Sequence, residues 1–233
     1  MATSDAVASP AAPAAAPDRA SWEVFYHSGF LGRAEPAVYM LEASGSPYSI
    51  VPRDNCNDPT VFACPAVRKA KAGKVISQTV AVSRWIGREC GFAPPTDMDP
   101  DVDLKLALDL ADVWSDMYAA RKRFKDVDSQ SGYVDGRLAK WMAVLEAQCT
   151  GPFFNGASPT YHDFLMVSNE NMLEFCFGRL AFQRVMDRHP KLAALYSACH
   201  ALPGVKALRD KVAAGWVQGQ PIWHGCKALP EAN

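Results

Sequence analysis

The stretch that decides the fold is residues 74–86, KVISQTVAVSRWI. A short strand pattern changes there directly into a helical pattern, at the pair Gln78-Thr79. The first N–H groups of a helix have no partner within the helix, and the helix dipole favours an anion beside them. A side-chain amide, a hydroxyl and these N–H groups in one place therefore suit the carboxylate of an amino-acid-like ligand.

The residues before this junction alternate between strands and helices. Pro36 falls in the first turn of the first helix, where a missing N–H costs nothing, and Gly45 ends that helix. A turn at Ala72-Gly73 joins the last two strands. The predicted strands are 22–26, 48–51, 66–68 and 74–76, and the predicted helices are 34–43 and 79–90. This order predicts an α+β unit of about eighty residues.

The rest of the chain is predicted to be helical. Three prolines mark a linker at 92–100, and Leu104, Leu108, Ala111, Ser115 and Tyr118 form one stripe of 3.6-residue period after it. Further helices are predicted at 137–148, 160–177, 181–188, 192–201 and 205–214. The predicted organisation is a disordered leader at 1–20, a first domain at 21–91, the linker, and an all-helical domain with a C-terminal tail at 101–233.

Composition narrows the function classes. The 233 residues carry a formal net charge of −1, so neither nucleic acid nor an anionic membrane surface is expected as a partner. No apolar run is long enough to span a bilayer. Seven cysteines without metal-ligand spacing predict free thiols, no metal site and a cytoplasmic location. A transit peptide is the alternative for the Ala/Pro-rich leader, and Asp5 and Asp18 argue against it.

A helix start lies in the second half, in Ser158-Pro159-Thr160-Tyr161-His162-Asp163. Thr160 can cap the N–H of Asp163, and the Asp163 carboxylate can reach back to the N–H of Thr160. Apolar residues follow, so this helix is expected at the centre of the helical domain. The role predicted for Asp163 is structural.

With these motifs together, the chain resembles a cytosolic glutathione transferase. The resemblance spans roughly residues 22–214 and includes Gln78-Thr79, a Pro65 that is cis in that family, and the Thr160/Asp163 capping box. The stretch Phe25-Tyr26 followed by GRAEP at 32–36 is most similar to the tyrosine-type, sigma-like class. The resemblance implies a thioredoxin-like N-terminal domain followed by an all-helical C-terminal domain.

The resemblance also assigns the catalytic groups. Tyr26 is expected to donate a hydrogen bond to the sulfur of glutathione and so to stabilise its thiolate. Arg33 is expected to add a positive field. One extra residue in the loop after Tyr26 leaves Ser28 as an alternative donor, as in the serine-using classes.

Glutathione, as co-substrate, is expected to bind along the edge of the first domain. Cys64, before Pro65, is expected to pair its backbone with the cysteinyl part, and Gln78 and Thr79 to hold the γ-glutamyl carboxylate. Asp109 matches an acidic residue that reaches the γ-glutamyl amine across the interface of a homodimer. Asp112 is the less favoured alternative.

The second substrate is expected to be an apolar electrophile bound between the domains. The candidate residues for this pocket are Phe30, Leu31, Trp114, Met117, Tyr118 and Arg121, with Trp216 or Trp223 from the tail.

Two departures from the family pattern stand out. Only twelve residues, 53–64, lie between Pro52 and Pro65, where the family usually places a helix that holds the glycine end of glutathione. Arg53 or Lys69 is expected to substitute. No cysteine lies in residues 26–36, which argues against the thiol-transfer classes.

The leading hypothesis is a dimeric detoxification enzyme that conjugates glutathione to an electrophile. Isomerase and peroxidase reactions use the same activated thiol. The alternative is a non-catalytic protein of this fold, used for binding or structure. An unrelated α+β enzyme would require a trans Pro65 and a Gln78 outside any cleft.

Overall fold

The computed structural model describes residues 21–27, 31–69, 73–213, 216–217 and 220–221. A mixed sheet with two helices is followed, from Pro100 onwards, by a helical unit. This confirms the predicted fold class, a thioredoxin-like domain followed by an all-helical domain. Within the part that the structure describes, no helix is both long and apolar enough to cross a membrane.

The sheet has four strands in the order β2-β1-β3-β4. They are β1 (Trp22–Tyr26), β2 (Tyr48–Pro52), β3 (Ala66–Lys69) and β4 (Val75–Ser77). β1 runs parallel to β2 and antiparallel to β3, and β4 is antiparallel to β3. Val24, Phe25 and Val67 are fully buried, so the central strands form the core of this domain. β4 begins one residue later than predicted, and Ala72 of the predicted turn lies outside the described residues.

Two helices accompany the sheet, α1 (Glu35–Ser44) and α2 (Thr79–Cys90). Pro36 lies in the first turn of α1, as predicted. Gly45 ends α1 with a φ of 65°, a conformation that glycine adopts without the steric cost of a side chain. The bounds of α2 are those predicted, and they place the start of this helix directly after Gln78.

The helical unit contains six helices within the described residues. They are α3 (Pro100–Arg123), α4 (Val127–Tyr133), α5 (Ala139–Gln148), α6 (Tyr161–Arg188), α7 (Pro190–Ala201) and α8 (Pro203–Ala213). A π-helical turn at Val134–Leu138 joins α4 to α5, so this helical stretch starts ten residues before the predicted 137. Two short strands, Trp216–Val217 and Gln220–Pro221, pair near the end of the chain.

The stripe of 3.6-residue period on α3 is not the side of this helix that faces the core. Leu104 and Leu108 are 37% and 49% exposed, whereas Leu110 and Met117 are fully buried. Apolar residues occupy two faces of this helix, so periodicity alone could not choose between them. The helix also starts at Pro100, capped by Asp99, where a linker residue was predicted.

The predicted capping box begins α6. The N–H of Thr160 donates to Asp163 Oδ2 at 2.6 Å, and the Thr160 side chain accepts from the N–H of Asp163 in return. Asp163 also accepts from the N–H of Phe154, which fixes the preceding loop. Gly178, at φ 85°, interrupts α6 and divides it near the predicted boundary at 177.

A buried polar cluster joins the two units. Asp103 of α3 pairs with Arg84 of α2 at 2.8 Å and accepts from the Tyr161 hydroxyl of α6 at 2.5 Å. One carboxylate thereby fixes α2 and α6 against α3. The start of α2 and the middle of α3 form opposite walls of the cavity described next.

Candidate active site

A cavity of about 340 Å³ lies between the first domain and α3. Gln78 and Thr79 form part of one wall, and Trp114 and Ser115 part of the other. Arg33 lies between them. The structure therefore places the Gln-Thr junction in a cleft, as the glutathione-site prediction requires.

Gln78 has an unusual backbone conformation, with φ 75° and ψ 127°. A positive φ in a residue other than glycine costs on the order of 1–3 kcal/mol and is concentrated at functional sites. This geometry turns the chain from β4 into α2 within one residue. The unpaired N–H groups of the first turn of α2 thus lie beside the cavity.

The peptide bond before Pro65 is cis, as predicted. The Pro65 carbonyl accepts a hydrogen bond from the N–H of Gln78 at 3.2 Å. This bond ties the Cys64-Pro65 turn to the start of α2, so both sets of predicted glutathione contacts belong to one local arrangement.

Tyr26 ends β1 and is 5% exposed. Its hydroxyl oxygen accepts a hydrogen bond from the backbone N–H of Arg33 at 2.9 Å. Burial raises the pKa of this phenol to about 12. The group therefore keeps its proton at neutral pH, which is the state that a donor to a thiolate needs.

Arg33 extends into the cavity from the 3₁₀ turn before α1. Its guanidinium donates to Ser115 Oγ at 3.0 Å and lies 4.7 Å from the centre of the Trp114 ring. Within the part of the chain that the structure describes, Arg33 forms no ion pair with a carboxylate. A cationic group thus lines the same cavity as Gln78.

Cys64 is half-buried and contacts the exposed His27, with 3.6 Å between Sγ and Nε2. Burial raises the pKa of the Cys64 thiol, and Arg53 and Arg33 act against that rise. Arg53 itself forms an exposed ion pair with Asp54. The thiol therefore lies near two cationic groups, although it is not among the residues that line the cavity.

Segment 53–64 contains a short 3₁₀ turn at Arg53–Asn55 and no α-helix. Phe62 in this segment is fully exposed. Lys69, the alternative to Arg53, pairs with Glu89 at 2.7 Å near the far end of α2. Lys69 is thus engaged with α2, and a contact of Arg53 with the glycine end stays a prediction.

The predicted second-substrate residues are only partly brought together. Trp114 lines the cavity and packs against Tyr118 with 5.6 Å between the ring centres. Met117 is fully buried in the core and is not among the residues that line this cavity. Arg121 donates to the Phe175 carbonyl at 3.0 Å, and Leu31 is buried. Phe30, Ser28, Trp223 and the side chain of Trp216 lie outside the described residues.

Asp109 forms an ion pair with Lys105 of its own helix at 2.7 Å. It does not line the cavity of the single chain. Its predicted contact belongs to a partner subunit, so this role stays a prediction. Among the described residues, no three His, Cys, Asp or Glu side chains are grouped to hold a metal ion.

Two polar groups near the cavity were not predicted from the sequence. Ser168 of α6 lines it, and next to Ser168 the Glu35 carboxylate accepts from Asn171 at 3.0 Å. Burial raises the pKa of Glu35 to about 7. Nothing in the local pattern distinguishes these residues from ordinary helix positions, since only the packing of α1 on α6 brings them together.

Comparison with known proteins agrees with this geometry. Residues 109–211 match the family model of the glutathione S-transferase C-terminal domain. Among curated protein sequences, none matches this chain.

Several solved glutathione S-transferases share the fold. One from Caenorhabditis elegans is 21% identical, with a TM-score of 0.62, and the match covers 82% of this chain and 98% of that one. A Pi-class enzyme from Onchocerca volvulus is 15% identical, with a TM-score of 0.64 and coverage of 85% and 99%. Prostaglandin synthase D of Nilaparvata lugens is 17% identical, with a TM-score of 0.61 and coverage of 82% and 98%.

The fold is that of the glutathione transferases, and residues 109–211 form a glutathione S-transferase C-terminal domain. The domain match supports the predicted class of enzyme, a glutathione transferase, and the structural neighbours support its fold.

Proposed function

We propose that this protein is a tyrosine-type, sigma-like glutathione transferase that conjugates glutathione to apolar electrophiles in the cytoplasm, as a detoxification enzyme. The observation that carries the proposal is the start of α2: the strained Gln78 is bonded to the cis-Pro65 turn and lines a cavity together with Arg33. A helix N-terminus, a side-chain amide and a guanidinium suit a carboxylate.

Glutathione binds in this proposal with its γ-glutamyl carboxylate at Gln78 and Thr79. Arg33, which lines the same cavity, adds positive charge beside that carboxylate. The cysteinyl part pairs with the backbone of Cys64, and Arg53 attracts the glycine carboxylate at the exposed end. The γ-glutamyl carboxylate therefore meets a helix N-terminus and a cation, whereas the glycine carboxylate meets a single exposed cation.

Tyr26 activates the thiol. Its protonated hydroxyl donates to the glutathione sulfur, which lowers the free energy of the thiolate relative to the thiol. The thiolate attacks an electrophilic carbon, and a carbon–sulfur bond forms as the leaving group departs with its electron pair or as a double bond accepts that pair. The N–H of Arg33 bonds the phenol oxygen and fixes its position. Ser28 is the alternative donor.

The electrophile occupies the side of the cavity formed by Trp114, with Tyr118 packed behind it. An apolar, aromatic wall favours an apolar substrate. The fold neighbour named prostaglandin synthase D makes an isomerisation a second reaction to test. Reduction of peroxides by the same thiolate is a third.

The active form is proposed to be a homodimer that places Asp109 at the partner's γ-glutamyl amine. Support comes from exposed apolar residues of α3, where Leu104 and Leu108 lie one turn apart on the same side of the helix that carries Asp109. Leu104→Glu should convert a dimer to a monomer in sedimentation velocity. Leu180→Glu, at an exposed apolar residue of α6, should leave the dimer intact.

The test of the proposal combines retention on immobilised glutathione with a chromogenic conjugation assay. Tyr26→Phe should keep binding but lose about ten- to a hundredfold in turnover, since a hydrogen bond to a charged group contributes roughly 1.5–3 kcal/mol. Ser28→Ala tests the alternative donor in the same assay. A protein that neither binds glutathione nor responds to either variant would not be this enzyme.

The second candidate function is a non-catalytic binding or structural protein of the same fold. The observation that favours it is segment 53–64, which lacks an α-helix at the glycine end of the site. Binding of glutathione without conjugation of a panel of electrophiles would support this alternative.

A further inference from the structure

The cavity between the two units has an open end and a closed end. Arg33, Gln78 and Leu108 line it and are exposed, whereas Leu165 and Ser168 of α6 line it and are buried. The groups that suit a carboxylate therefore lie at the open end, and α6 forms the closed end.

Ser168 is a polar residue without a partner at the closed end. It is 2% exposed, and within the described part of the chain its Oγ makes no hydrogen bond. A buried hydroxyl without a partner costs free energy. A serine hydroxyl turns about a single bond, donates one hydrogen bond and accepts two. Ser168 can therefore accept a hydrogen bond from a ligand in the cavity.

The Glu35 carboxyl group lies beside Ser168. Burial raises the pKa of Glu35 to about 7, and Ser168 is close enough to act against that rise, although no hydrogen bond of good geometry joins the two. Asn171 Nδ2 donates to Glu35 Oε1 at 3.0 Å. Among the described residues, Glu35 forms no ion pair. A carboxylate has about four acceptor positions, so Glu35 retains unused acceptor capacity.

The other elements packed around Glu35 bring mainly phenols. The titratable and charged groups that face it are Tyr39 of its own helix, Tyr26 of β1, Tyr196 of α7 and Arg209 of α8. Arg209, the cation of this set, lowers the pKa of Glu35 without pairing with it. Glu35 is therefore about half ionised at pH 7 and can still accept a cation.

We propose that Ser168 and Glu35 form a subsite for a protonated primary amine at the closed end of the cavity. With the carboxylate-binding wall of Arg33 and Gln78, the cavity then fits an α-amino-acid head group, whose two charges meet opposite ends. The inference rests on the proposed function, in which that head group is the γ-glutamyl part of glutathione. An ammonium group has three N–H donors, so a contact with Ser168 leaves donors for Asp109 of the partner subunit.

The subsite couples binding to a proton. An ammonium group beside Glu35 favours the ionised carboxylate, so binding lowers the pKa of Glu35 and releases the proton that it holds at pH 7. The affinity for the amine should therefore rise as the pH rises through 7, because more Glu35 is then ionised before the ligand arrives.

The test compares two probes in calorimetry, S-methylglutathione and its analogue with a glutaryl group in place of the γ-glutamyl group, which lacks only the amine. The analogue should bind the wild type at least about tenfold more weakly. Glu35→Gln and Ser168→Ala should each reduce this ratio of affinities at least about threefold, because each removes a partner of the amine. Ser83→Ala is the matched control and should leave the ratio unchanged. Ser83 is also buried and its Oγ has no partner in the described chain, but it does not line the cavity.

Proton release is a readout that a purely structural role would not change. Titrations at pH 7 in two buffers of different ionisation enthalpy should show that up to about half a proton leaves the wild type per S-methylglutathione bound. Glu35→Gln should release none, and neither should the wild type with the glutaryl analogue.

The outcomes separate this inference from the function beneath it. If S-methylglutathione binds and the ratio of affinities is the same in the wild type, Glu35→Gln and Ser168→Ala, the inference fails and the transferase proposal stands. If S-methylglutathione does not bind the wild type, both fail. Proton release that persists in Glu35→Gln would also overturn the inference, because another group would then be its source.

Discussion

The two ends of the candidate glutathione site are built differently. The γ-glutamyl end is formed by β4, α2 and the cis-Pro65 turn, and Arg84 and Asp103 hold α2 against α3 behind it. The glycine end is formed by segment 53–64, with one short 3₁₀ turn and an exposed Phe62. Gln78 and Arg33 are exposed, but hydrogen bonds to Pro65 and Ser115 of the surrounding walls fix them, whereas Arg53 is held by one ion pair to its neighbour Asp54. A group that is already fixed loses less freedom when a ligand binds. Affinity should therefore reside mainly at the γ-glutamyl end.

The largest expected effect comes from the cation of the γ-glutamyl end. Arg33→Ala should raise the KM for glutathione about ten- to a hundredfold, since a charge-assisted hydrogen bond contributes roughly 1.5–3 kcal/mol. Steady-state kinetics with glutathione varied would measure it. Arg88→Ala, an exposed cation in the last turn of α2, is the matched control and should leave KM unchanged. An unchanged KM in Arg33→Ala would remove Arg33 from the site.

The second expected effect concerns Glu35, which lies next to Ser168 of the cavity wall. Burial raises the pKa of Glu35 from 4.5 to about 7, so the folded state holds this proton more tightly than the unfolded state. Its contribution to stability is complete below pH 4.5 and is lost as the pH rises through 7. Glu35→Gln should remove this part of the pH dependence, a change of about 3 kcal/mol by the usual conversion of a pKa shift.

Urea unfolding of both proteins between pH 4.5 and 8 measures this change. The difference between wild type and Glu35→Gln isolates Glu35, because Asp163, with a pKa that burial raises to about 6, contributes equally to both curves and in the same direction. His200 acts in the opposite direction, because burial lowers its pKa to about 3. Parallel curves for the two proteins would contradict the assignment.

A third experiment separates strain from binding at Gln78. Gln78→Gly should stabilise the protein by about 1 kcal/mol, because glycine adopts the positive φ without strain. The same change should weaken glutathione binding about tenfold, because the side-chain amide is lost. Gln78→Ala keeps the backbone strain and should weaken binding without stabilising the fold. Thermal unfolding measures the stability of both variants, and calorimetry measures their affinity for glutathione. Gln78→Gly should raise the first and lower the second.

The smallest effect is expected at the glycine end. Arg53 is exposed and already paired with Asp54, and exposed ion pairs contribute about 0–1 kcal/mol. Arg53→Ala should therefore weaken glutathione binding about threefold or less. Lys69→Ala should have no effect, since Lys69 pairs with Glu89. A tenfold loss in Arg53→Ala would show that this end contributes as much as the other.

The sequence predicted the parts of the fold that local chemistry specifies. Gly45 and the Thr160/Asp163 capping box are helix signals that act within a few residues, and the structure has them where they were expected. The cis bond at Pro65 was predicted from the family resemblance and is present. The start of α2 at Thr79 was predicted both from the local strand-to-helix pattern and from the family resemblance.

Features that depend on tertiary packing were not predictable in this way. Leu104 and Met117 are equally apolar, and only the packing of α3 against α6 decides that Met117 is buried while Leu104 is exposed. Ser115 was predicted only as one position of a helical stripe, and the structure shows that it accepts a hydrogen bond from Arg33 in the cavity wall. A sequence pattern does not show which polar side chain of one domain meets which charge of another.

Calorimetry with the two halves of glutathione tests the central claim most directly. γ-Glutamylcysteine lacks the glycine end, and cysteinylglycine lacks the γ-glutamyl end. The asymmetric site predicts that γ-glutamylcysteine binds within about threefold of glutathione, a difference below 1 kcal/mol, while cysteinylglycine loses at least about a hundredfold. Comparable losses for both ligands, or tighter binding of cysteinylglycine, would contradict it.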